Sequence, residues 1–91
     1  MRSIFKYEVP LADYFSLEMP AGADILTIQV QNERPCLWAI VDKDAPMKTR
    51  RFATYGTGWE LPPEEFLGKY AGTVQRNFGL VWHIFDLGED K

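Results

Sequence analysis

Apolar residues recur at every second position in run after run of this chain, and each run is short and bounded by proline, glycine, asparagine or aspartate. A period of two places successive side chains on opposite faces, which suits a β-strand and not a helix of 3.6 residues per turn. In residues 4–9, Phe5, Tyr7 and Val9 point one way and Lys6 and Glu8 the other, until Pro10 ends the run. Residues 14–19 form a second run, stopped by the turn signal Pro20-Ala21-Gly22. In residues 24–31, Leu26, Ile28 and Val30 alternate with Thr27, Gln29 and Gln31, the pattern of a half-buried strand with one wet face.

Asn32-Glu33-Arg34-Pro35 follows at once, so the third run and Cys36–Asp42 read as a hairpin joined by a four-residue loop. Lys43–Lys48 reads as an exposed loop, and Arg50–Gly58 as a fifth strand in which Gly56 and Gly58 suggest a bulge or a close backbone approach. Pro62-Pro63 followed by Glu64, Glu65 and Phe66 is the one stretch that suits a helical turn, with proline at its start, acids in its first turn and Gly68 to end it. Lys69–Arg76 and Gly79–Leu87 form the last pair, joined through Asn77-Phe78-Gly79. Seven short strands with short connections predict a single all-β domain over residues 1–91, an antiparallel β-sandwich or small barrel.

Composition narrows the function. A content of 46% hydrophobic and 25% charged residues is that of a globular chain, and ten basic against thirteen acidic residues leave a net charge of −3. No field of that sign draws the molecule to nucleic acid or an anionic membrane. No run reaches the eighteen or so apolar residues of a membrane helix, and the first fifteen residues carry charges among short apolar pairs rather than a signal-peptide core. With a lone Cys36 the expectation is a cytoplasmic protein without a disulfide framework.

The single histidine, His83, lies in the most apolar stretch, Gly79–Phe85, with Val81 and Phe85 on its own face. A metal site needs three or four ligands, and one His and one Cys cannot supply them without paired carboxylates. A Cys36–His83 dyad would require neighbouring strands and an activated thiol, and no glycine-rich nucleophile turn accompanies Cys36. Gly56-Thr57-Gly58 lacks the lysine and following helix of a phosphate loop. The sequence therefore reads as a non-enzymatic protein without metal or cofactor, and with no catalytic residues to name.

Two features point to binding. The runs Cys36–Val41 and Gly79–Phe85 are apolar on both faces, so Leu37, Ala39 and Val41 with Val81, His83 and Phe85 form a candidate interface, and a homodimer is expected to cover it. Lys48, Arg50 and Arg51, with Tyr55 and Trp59 the nearest aromatics, form a candidate site for a small anion or single-stranded nucleic acid. Tyr70, Trp38 and Trp82 add further stacking surface, although tryptophans on strands usually belong to a core.

The blocks Met19–Gln31, Leu37–Asp42, the run from Arg50 to Gly58 and Gly79–Phe85, in this order and spacing, resemble a group of small uncharacterised proteins of tailed bacteriophages and prophages. The resemblance covers residues 5–85 and carries no catalytic or binding residues with it. It implies an accessory protein acting inside a bacterial host, through itself or through a host or phage protein.

Overall fold

The strands form close to where the alternation places them, in the order β1 (Arg2–Glu8), β2 (Tyr14–Pro20), β3 (Asp24–Gln31), β4 (Arg34–Asp42), β5 (Met47–Gly56), which begins inside the expected 43–48 loop and takes in Lys48, a single helical turn α1 (Glu64–Leu67), β6 (Lys69–Gln75) and β7 (Val81–Glu89). A computed structural model describes residues 1–76 and 79–90, so Asn77 and Phe78 of the expected β6–β7 turn lie outside the described residues. The strands make two antiparallel sheets, one of three strands ordered β1-β4-β3 and one of four ordered β2-β5-β7-β6, and the sheets do not close into a barrel.

One hydrophobic cluster joins the sheets. Val9, Ile28, Leu37, Ala39 and Val41 from the three-stranded side meet Met19, Phe52, Val74 and Ile84 from the other. Phe15 stacks on Phe52 with ring centroids 5.0 Å apart. Burying each of the larger side chains stabilises the fold by about 1.5–3 kcal/mol, which is how so short a chain holds two sheets together. The sheets meet along β3 and β6. There Gly72 comes so near β3 that a Cβ on it would sit 2.8 Å from the Cβ of Ile28.

Three expectations change. The β3–β4 loop is two residues and not four: Asn32 and Glu33 take φ of 50° and 66°, the pair of positive values a type I′ hairpin needs, and Gln31 pairs directly with Arg34. Leu26 does not join Ile28 in the core, because the register shifts between Ile25 and Thr27 and leaves Leu26 unpaired and exposed. Leu37, Ala39 and Val41, expected at a subunit interface, are 0–1% exposed in the core. The second sheet covers that face; on the opposite face of β4 Cys36 is buried while Trp38 and Ile40 are half-buried, and Lys6 Nζ donates to Gln31 Oε1 at 2.9 Å between the neighbouring strands.

Candidate functional site

The basic trio is dispersed by the same alternation that built its strand. β5 pairs with β2 without interruption, so Lys48, Arg50 and Phe52 project to one face and Arg51, Ala53 and Tyr55 to the other. Arg50 lies inside. Its Nε and Nη2 donate to the two carboxylate oxygens of Asp86 at 2.9 and 2.7 Å, its Nη1 donates to the carbonyl of Ala23 at 2.9 Å, and Glu89 stands 3.7 Å away. Asp86 also accepts the Gly88 N–H at 2.9 Å, so the ion pair is satisfied on both sides and ties β5 and β7 to the end of the β2–β3 turn. The carboxylates beside Arg50 hold its guanidinium above the ordinary value against the opposing effect of burial. Arg51 makes a second bidentate pair, with Asp90 at 2.5 and 2.9 Å, on the exposed side. Both guanidinium forks are therefore engaged with carboxylates, and the five residues named for an anion do not converge.

Tyr55 and Trp59 instead meet His83 and Phe85 from the other candidate set, on the outer face of the four-stranded sheet. The register explains the meeting. Tyr55 pairs with His83 and His83 with Thr73, while Phe85 pairs with Ala53 on one side and Tyr70 on the other, so adjacent rows of the same face carry Tyr55, His83, Phe85 and Tyr70. The Tyr55 and Tyr70 rings stand at 75° and 78° to the Phe85 ring, with centroids 5.8 and 5.1 Å from it. Beyond β5 the chain turns back through Gly58, at φ of 88°, and Trp59 N–H donates to the Gly56 carbonyl at 3.1 Å. That turn brings Thr57, Trp59 and Leu61 to the rim of a cup of about 280 Å³. Trp59 lies against the backbone of Gly56, where a Cβ would come within 2.6 Å of its Nε1, and meets Trp82 edge to face at 5.5 Å.

The polar atoms of the cup bond to one another. His83 Nε2 lies 2.7 Å from Thr57 Oγ1 and its Nδ1 3.1 Å from the Tyr70 hydroxyl, which also meets Thr73 Oγ1. Burial first and the neighbouring Tyr14 second push the Tyr55 phenol up; burial alone pushes Tyr70 up. Val81, also named for an interface, is half-buried on the same strand. Cys36 and His83 lie on different sheets, so no dyad forms. Among the described residues no group of three or more His, Cys, Asp or Glu side chains could hold a metal ion, and no helix is long and apolar enough to cross a membrane.

Sequence reading missed Thr57 and Leu61 and left Tyr70 outside both sets. Tyr70 could not be placed by counting outward from the β6–β7 turn, because the register shifts between Tyr70 and Gly72. A second cavity of about 280 Å³ is lined by Leu11, Asp13, Thr54, Arg76 and Trp82 among others, and the Thr54 hydroxyl itself is buried with no hydrogen-bond partner among the described residues. No curated protein and no solved structure gives a significant match to the chain. A family model matches residues 1–91 from end to end, and the chain belongs to that family, described as Domain of unknown function (DUF7352).

Proposed function

We propose that the protein is a non-enzymatic interaction module that docks a segment of a partner protein in the aromatic cup. One observation carries this reading: the outer face of an antiparallel sheet, ordinarily its polar face, here presents Tyr55, Tyr70, Phe85 and a rim of Trp59 and Leu61, with Trp59 50% and Tyr70 49% exposed. Aromatic anchors of this kind carry most of the binding energy where partners meet. The two sheets around a shared core read as a sandwich whose interior supplies the stability and whose outer face supplies the contact. The resemblance to phage and prophage proteins favours a host or phage protein as the partner, in the cytoplasm of the host cell.

The test is a peptide array probed with the purified protein, followed by titration of the bound peptides against wild type, Trp59→Ala and Tyr70→Leu. Peptides that bind wild type and weaken by about tenfold or more with either variant support the cup as the docking site, since a hot-spot aromatic contributes at least about 1.4–2 kcal/mol. Binding that is indifferent to both variants refutes it. Light scattering of the free protein reads the self-association expected from the sequence, and a low-salt titration with a labelled oligonucleotide reads the anion alternative.

A further inference from the structure

Resting on the docking reading above, we propose that the cup receives a cation, the basic side chain of a lysine or arginine on the partner polypeptide. The cup is lined by the aromatic cluster of Phe85, Tyr55 and Tyr70, the two tyrosine rings nearly perpendicular to the phenylalanine, with a fourth aromatic, Trp59, at the rim. A ring carries negative charge on its face, so rings gathered around one space attract a positive group there.

The other occupants suited to aromatic pockets are disfavoured by what else lines this one. A phosphate or a nucleotide needs basic side chains, and no Lys or Arg lines the cup. A sugar needs free donors and acceptors around the stacking ring, whereas the His83 nitrogens and the hydroxyls of Thr57, Tyr70 and Thr73 bond to one another. What remains is π surface, in a chain of net charge −3. Glu60 lies between the lining residues Trp59 and Leu61, and Glu64 and Glu65 open α1 just beyond. These carboxylates favour the approach of a positive segment and oppose a negative one.

Choline and 3,3-dimethylbutan-1-ol test the point, because they share a shape and differ by one charge. Each is titrated into ¹⁵N-labelled protein while the Trp59 indole N–H and the Gly56 and Gly58 amides are followed by NMR. Choline should shift these signals and bind about tenfold more tightly than the alcohol, the scale of a partly desolvated cation–π contact. Tyr70→Leu should abolish the preference, and Tyr70→Phe, which keeps the ring and loses the hydroxyl, should retain it if the sheet is intact. Replacing Glu60, Glu64 and Glu65 by Gln should weaken choline and leave the alcohol unchanged. Equal binding of the two probes, or choline shifts confined to another surface, would overturn the proposal. Array peptides whose lysines and arginines can be exchanged for norleucine without loss at the cup would overturn the cation and leave docking standing. A cup that neither choline nor any peptide perturbs would sink both.

Discussion

Arg50 and Arg51 are neighbours in sequence with opposite fates, because one residue of strand is half a turn of the pleat. Arg50 is 13% exposed and Asp86 9%, so removing either partner strands a charge away from water. Arg50→Ala should lower the unfolding free energy by about 2–3 kcal/mol, somewhat below the range for fully buried pairs because the guanidinium keeps some solvent contact. Arg51→Ala removes an exposed pair and should leave the urea midpoint nearly unchanged. Equal losses in the two variants would contradict this account. Gly56 is a second position where one atom decides the outcome. Gly56→Ala places a methyl where the Trp59 indole lies, so the fold should survive while Trp59 moves off its seat. A red shift and stronger acrylamide quenching of its fluorescence, measured in a Trp38→Phe/Trp82→Phe background, would report that displacement.

At the scale of elements, the hairpins and the sheet contact carry the strain. Glu33 holds a φ of 66° without being glycine, a conformation that costs an ordinary residue about 1 kcal/mol or more. Glu33→Gly turns Asn32-Glu33 into Asn-Gly, the preferred type I′ sequence, and should raise stability by about 0.5 kcal/mol after the greater freedom of glycine in the unfolded chain is subtracted. A lower thermal midpoint for Glu33→Gly would refute the turn assignment. Where β6 meets β3, the missing side chain of Gly72 lets the two strands approach, and Gly72→Ala forces the added methyl against Ile28. Overpacking of this kind costs about 1–3 kcal/mol, and denaturant titration of Gly72→Ala should show it. An unchanged midpoint would mean that β3 and β6 separate without penalty.

For the whole molecule, the tyrosines set an alkaline limit. Burial is the first cause that holds Tyr7, Tyr55 and Tyr70 above the ordinary phenol value of 10.0, with the Tyr14 hydroxyl adding to it at Tyr55. A raised value in the folded state means that the folded chain keeps the proton longer. The associated stability is complete below pH 10 and is lost as pH rises through the raised values. The thermal midpoint should hold to about pH 10 and fall beyond it, and Tyr55→Phe/Tyr70→Phe should flatten the fall, read beside the phenolate absorbance at 295 nm. The number of strands, most of their limits and the helical turn were legible in the sequence, because alternation and turn residues are local properties read within about ten positions. Tyr55, Trp59, His83 and Phe85 were legible as candidates for the same reason: an aromatic or ionisable residue in a strand is visible wherever it sits. Their union into one cup was not, since it depends on β7 pairing between β5 and β6 and on a turn at Gly58 that returns Trp59 to the sheet. The fates of Leu37, Ala39 and Val41 and of Arg50 were hidden for a related cause. A strand with two apolar faces does not say whether another subunit or its own second sheet covers it, and a basic residue does not say which distant carboxylate awaits it. Periodicity determined the elements; only the packing of sheet on sheet decided which faces are core and which face is left exposed, because burial is set by what lies across the interface and not by what lies along the chain.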